Sequence, residues 1–130
     1  MNKKILITAA VLGMLSVVFG AYGAHGLKAL VTGSQIQSFE VGVRYQMYYA
    51  LMLLFVGLAG FLSAKSKRVI FYLVLIGIVL FSGSIYGLVT NDYTAFNFKT
   101  IAFITPVGGL LLIVAWLVLL VNIIKTKFEA

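Results

Sequence analysis

The sequence predicts an all-α membrane protein, a transmembrane bundle of four helices with both termini in the cytoplasm. Three observations predict it. Of the 130 residues, 62% are hydrophobic and only 10% charged, and the mean hydropathy of +1.11 lies well above that of soluble domains, about half of which is apolar. Four apolar runs, 5–24, 45–62, 69–89 and 106–124, each have the roughly 18 to 21 residues that carry a helix across a ~30 Å hydrocarbon core. The basic residues, finally, fall mostly on one side of these runs. The runs do not alternate in polarity as barrel strands would, so helices are the spanning structure that remains. No linker or change of composition divides the chain, and 1–130 reads as one transmembrane domain.

The first run follows Lys3 and Lys4 and ends in the small residues Ala21-Tyr22-Gly23-Ala24, which resemble a signal-peptidase site. Its apolar stretch exceeds a usual signal-peptide core, so it is expected to stay in the protein as helix one. Ala9, Gly13, Ser16, Gly20, Gly23 and Ala24 fall within an arc of about 100° on that helix. In lipid, where hydrophobicity does not draw helices together, such a stripe lets another backbone approach closely. Gly20-x-x-Gly23-x-x-Gly26 is not a phosphate loop, because no strand precedes it and no Walker lysine follows. His25 is expected at the end of the helix, with Gly26 closing it in the left-handed conformation.

The second run carries Glu40 and Arg44 at the four-residue spacing of a same-face ion pair, with Tyr48 continuing that face. Gly42, Tyr45, Gln46 and Tyr49 occupy a second arc, roughly opposite. The third run holds Gly83 and Gly87, again four apart and expected to pack. It also echoes the first weakly, Ser84-Ile85-Tyr86-Gly87 against Gly20-Ala21-Tyr22-Gly23. In the fourth, Pro106 is expected at the first helical position with Thr105 as N-cap. That leaves 93–104 as an interfacial or partly re-entrant segment, and Trp116 as a core residue.

Lys3, Lys4, Lys65, Lys67, Arg68, Lys125 and Lys127 share one side with the single acid Glu129, while Lys28, Arg44 and Lys99 share the other with Glu40 and Asp92. Seven against three places both termini and 63–68 in the cytoplasm by the positive-inside rule. The net charge of +7 is thereby explained by orientation and by anionic headgroups, and nucleic acid is not an expected partner. Without cysteine, disulfides, thiol nucleophiles and cysteine-ligated metal centres are excluded. One histidine cannot build a His-rich zinc site, and no local motif organises Ser34 or Ser38 with His25 and Asp92 into a hydrolase triad. No metal, cofactor or catalytic residue is expected.

The remaining polar and aromatic residues concentrate in the outer half. Tyr22, His25, Glu40, Arg44, Gln46 and Tyr86 are expected to form one pocket there, suited to a lipid headgroup whose phosphate Arg44 would bind while Glu40 sets its orientation.

These residues carry a resemblance. Phe19-Gly20-Ala21-Tyr22-Gly23-Ala24-His25-Gly26-Leu27, Gly42-Val43-Arg44-Tyr45-Gln46-Met47-Tyr48-Tyr49-Ala50-Leu51, Phe81-Ser82-Gly83-Ser84-Ile85-Tyr86 and Ile104-Thr105-Pro106-Val107-Gly108-Gly109 with Trp116 together resemble the domain of unknown function 423 family. That family of small membrane proteins is similar in turn to eukaryotic transmembrane protein 256. The resemblance implies four membrane helices and no assigned activity. Where the family reads Tyr-His-Ala-Leu, this chain has Tyr48-Tyr49-Ala50-Leu51, so a mechanism needing a histidine pair between helices one and two does not carry over.

The leading functional reading is a non-catalytic membrane component that packs with lipid, with copies of itself as a homo-oligomer, or with another protein. A carrier or channel for a small solute or ion, motivated by the outer cluster and the Pro106 break, is the first alternative. An intramembrane enzyme acting on lipid through Glu40, Arg44 and His25 is the second.

Overall fold

A computed structural model describes residues 2–90 and 103–128, and among them all regular structure is helical. Helix α1 spans Asn2–Ala24, a short 3-10 turn Leu27–Ala29, α2 Gly33–Leu58, α3 Ala64–Val89 and α4 Ile104–Lys125. All four long helices are long and apolar enough to cross a membrane. The segment before α4, expected to be interfacial or re-entrant, lies outside the described residues up to 102.

Each helix begins earlier than its apolar run, because hydropathy marks the stretch that suits lipid while the backbone obeys its caps. At α2 the Thr32 side chain accepts from the Gln35 backbone amide while the Gln35 side chain accepts from that of Thr32, a complete capping box. At α3 the Ser63 hydroxyl accepts from the Ser66 amide, so 64–68 is the helix's first turn and not a loop. At α4 the helix starts at Ile104 after Phe103, so Thr105 is not its cap. Pro106 is accommodated in the first turn, whose amides have no intrahelical carbonyl to meet. The Thr105 hydroxyl instead pairs with that of Ser84 on α3. At the end of α1 no glycine adopts positive φ. Gly26 is right-handed at φ −69° and leads directly into the 3-10 turn, so the expected left-handed stop is not used.

The helices run up and down, each packed along the next in sequence, and α1 and α4 form no comparable interface with each other. The central pair α2 and α3 is therefore flanked by α1 and α4. Between α1 and α2 the stripe of small residues makes the contact. A Cβ added at Gly13 would lie 3.9 Å from Ala50 Cβ, at Gly20 3.6 Å from Val43 Cγ1, and at Gly23 2.9 Å from Phe39 Cδ1, while Ala9 and Ser16 are buried. Between α3 and α4 the approach is tighter still. A Cβ at Gly108 would stand 2.4 Å from the Phe81 backbone nitrogen and 2.8 Å from the Gly77 carbonyl oxygen, so the two backbones touch. Where lipid is the solvent, such dispersion contacts and interhelical hydrogen bonds supply the association that hydrophobic burial supplies in water.

Gly87 is buried on α3. Gly83, paired with it by spacing, is exposed and has nothing within 4 Å of an added Cβ, so it joins no helix contact among the described residues. Four residues on a helix advance the face by about 40°, enough here to leave the interface.

Candidate functional site

Both termini of the described chain, the 59–63 connection and the seven clustered basic residues lie at one end of the bundle, called the basic end; the other end carries the polar residues singled out from sequence. Those six do not form one pocket. Gln46 is 97% buried, at 3% relative exposure. Its Nε2 donates to the Leu12 carbonyl on α1 at 2.9 Å, and its Oε1 accepts from the Tyr86 hydroxyl on α3 at 2.7 Å. One side chain thus ties three helices. Tyr86 meets Phe19 edge-on and Phe39 at a tilt, ring centroids 5.3 and 5.1 Å away, and Tyr22 meets Phe39 edge-on at 6.3 Å. These four rings line a shallow cleft of about 140 Å³.

Glu40 and Arg44 stand elsewhere. At 100° per residue they lie roughly 120° and 160° around α2 from Gln46. Both are exposed, and they form no ion pair with each other. The opposite arcs read from spacing therefore separate the cluster: Gln46, Gly42 and Tyr49 turn into the bundle, while Glu40, Arg44 and Tyr48 turn out of it. His25 is exposed at the end of α1, where its backbone amide donates to Ala21 and Tyr22 carbonyls at 3.2 Å. Among the described residues no three of His, Cys, Asp and Glu gather as a metal site.

Other polar side chains complete the locking. The Ser82 hydroxyl donates to the Gly42 carbonyl at 2.7 Å, joining α3 to α2. The Tyr49 hydroxyl donates to the Leu112 carbonyl at 3.0 Å, joining α2 to α4. At the basic end the Lys67 ammonium, buried to 5% exposure, donates to Asn2 Oδ1 at 3.1 Å and to the Gly57 carbonyl at 3.2 Å. It therefore caps the end of α2 and holds the start of α1. By sequence Lys67 was only one of the seven basic residues on that side. The missed signal is that Lys67, Phe71 and Val74 recur at three- and four-residue spacing, placing the lysine on the buried face of α3. Trp116, expected in the core, is instead 53% exposed and meets Tyr49 only by its edge.

Larger grooves open on the outside of the described residues. One of about 440 Å³ lies at the end opposite the basic residues, lined by Gln35, Ser38, Ile85, Leu88, Val89, Thr105 and Pro106. Another of about 450 Å³ adjoins it at Pro106 and passes between α2 and α4 over Phe81. A third of about 360 Å³ lies towards the basic end, lined by Arg68, Val69, Tyr72, Leu73, Ile76 and Leu111. Arg44 lines none of them.

With this geometry in hand, the similarities are informative. Residues 19–109 match the family model described as "Protein of unknown function (DUF423)". The chain is 38% identical to the UPF0382 membrane protein YwdK of Bacillus subtilis over 95% of this chain and 98% of that protein. It is 35% identical to a UPF0382 membrane protein of Haemophilus influenzae over 98% of both chains. To the UPF0382 inner membrane protein YgdD of Escherichia coli it is 32% identical over 97% of this chain and 93% of that one. No solved structure matches the chain.

Proposed function

The chain belongs to the DUF423 family of proteins of unknown function, and from its geometry we propose a non-catalytic component of the cell membrane, both termini cytoplasmic, that acts through its lipid-facing exterior. One observation carries this reading: the buried polar side chains are already hydrogen-bonded within the bundle. Ser16, Gln46, Lys67, Ser82 and Ser84 each bond a carbonyl or side chain of the bundle, and among the described residues no buried side-chain nitrogen or oxygen lacks a partner. A carrier, or an enzyme acting within the bundle, would have to break such bonds to engage its solute or substrate, and each bond lost in hydrocarbon is costly. The exteriors of α1 and α4, by contrast, present Met14, Val17, Leu110 and Ile113 to the surroundings, all at least 60% exposed. Orientation follows the seven-to-three basic asymmetry, which makes the basic end the cytoplasmic one.

Proteoliposomes of phosphatidylethanolamine and phosphatidylglycerol test this reading. Native mass spectrometry of protein released in mild detergent is expected to show retained phospholipid, while the vesicles leak ions and turn over lipid no faster than protein-free ones. Solute flux or lipid hydrolysis abolished by Gln46→Leu would overturn it in favour of a carrier or an enzyme.

A further inference from the structure

The geometry points to a binding site for an anionic glycerophospholipid in the groove between α3 and α4 near the basic end, with Arg68, Lys4 and Tyr72 holding the phosphate. The inference rests on the lipid-facing reading above and gives it an address, towards the opposite end of the bundle from Arg44. Positive charge accumulates at this end. Lys3, Lys4, Lys65, Lys67, Arg68, Lys125 and Lys127 crowd this end, and the chain has three acids in all, of which only Glu129 falls on this side. The positive charge cannot be neutralised from within, so an anion from outside the chain must balance it.

Position then selects the group. Lys67 is already committed to Asn2 and Gly57. Arg68, the next residue, is exposed and has no hydrogen-bond or ion-pair partner among the described residues. Its planar fork of donors suits phosphate oxygens. The Lys4 ammonium reaches across from α1, donating to the Tyr72 hydroxyl at 3.3 Å and resting over the Tyr72 ring at 5.5 Å. Because that hydroxyl accepts from Lys4, its own proton remains available to an acceptor. Arg68 and Tyr72 thus border one groove from a single face of α3, one helical turn apart, and Lys4 of α1 reaches the Tyr72 hydroxyl.

The groove itself distinguishes a lipid from a free phosphate. Beyond Arg68 its lining is Val69, Leu73, Ile76 and Leu111 with the Tyr72 ring. Ile76 stands eight residues from Arg68, roughly 12 Å along the helix. A ligand with an anionic head and a hydrocarbon tail matches both ends, whereas a soluble phosphate ester would leave the apolar part uncovered.

The test uses the full chain in mixed micelles containing equal phosphatidylglycerol and phosphatidylethanolamine, read by native mass spectrometry. Wild type is expected to retain phosphatidylglycerol selectively. Lys4→Gln with Arg68→Gln should lower its retention about tenfold, the effect of losing one charge-assisted bond or more, while Lys65→Gln with Lys127→Gln, an equal loss of two charges at exposed positions, should not. Tyr72→Phe keeps the ring under Lys4 and should lower retention severalfold even if the double variant fails to fold. Retention unchanged in Tyr72→Phe and in a folded double variant would overturn the site alone. Wild type that retains no phospholipid of either kind would overturn the lipid-facing reading and the site with it. Displacement of phosphatidylglycerol by equimolar glycerol phosphate would overturn the assignment to a lipid.

Discussion

The Tyr86 hydroxyl donates to Gln46 Oε1 at 2.7 Å, and the amide nitrogen of the same glutamine donates to Leu12 on the far side. α3, α2 and α1 are thus joined through one buried side chain. In a bilayer neither group has water as an alternative partner, so the pair restricts how the three helices can slide or rotate.

Removing both partners of this link is expected to cost less than the two single losses added together. Tyr86→Phe leaves Gln46 Oε1 unpaired and should destabilise the protein by about 1–2 kcal/mol. Tyr86→Phe combined with Gln46→Met should cost less than the sum of the single changes. Thermal unfolding in detergent for the two single variants and the double variant measures the coupling, and strict additivity would show that the bond contributes nothing.

Gly108 and Gly83 should respond oppositely to the same methyl group. Gly108→Ala sets a Cβ 2.4 Å from the Phe81 nitrogen, which forces α3 and α4 apart and should cost about 2 kcal/mol or more. Gly83→Ala enters open space and should change stability by less than about 0.5 kcal/mol, or raise it slightly through helix propensity. Melting temperatures of the two variants decide the matter.

Gly20 tests the other interface. An added Cβ meets Val43 at an ordinary 3.6 Å, so Gly20→Ala should be tolerated while Gly20→Leu should separate α1 from α2. Val11→Leu, on the exposed face of α1, is the control. Equal thermal stability of Gly20→Leu and Val11→Leu would show that the helices do not meet there as described.

Topology can be read directly because the chain has no cysteine of its own. Gly33 has nothing within 4 Å of an added Cβ, and Lys65 is exposed at the basic end. With the termini in the cytoplasm, Gly33→Cys is expected to react with an impermeant maleimide on intact cells and Lys65→Cys only after permeabilisation. The reverse pattern would invert the orientation and move the phosphate-holding groove to the outer leaflet.

The basic-end clamp has its own signature. Lys67→Met keeps the bulk of the side chain but removes both donations, to Asn2 and to Gly57. It should destabilise by about 1–3 kcal/mol and speed hydrogen exchange at the end of α2 more than at its start. A uniform change along α2 would argue against a local clamp.

Much of the architecture was legible from residue order alone. Four apolar runs of membrane length, their lack of alternation and the clustering of Lys and Arg are properties of composition along the chain, and they determined helix number and the up-and-down path. The α1 stripe was legible too, because small residues at helical spacing define a face whatever that face meets. The caps Thr32 with Gln35, and Ser63, were present as short-range signals, yet an apolar-run reading passes over them because they lie outside the run. The site was less legible. Glu40, Arg44, Gln46 and Tyr86 share a depth, and depth alone drew them together, whereas the azimuth of each on its helix and the neighbour it faces separate Gln46 and Tyr86 from the charged pair. Only the tertiary structure decided that Gly77 and Gly108 make the closest crossing while Gly83 makes none, that Lys67 is buried while Arg68 is not, and that Lys4 reaches Tyr72 from another helix. The physical reason is that sequence specifies the face a residue occupies on its own helix, while helix rotation and partner choice depend on contacts between residues remote in sequence.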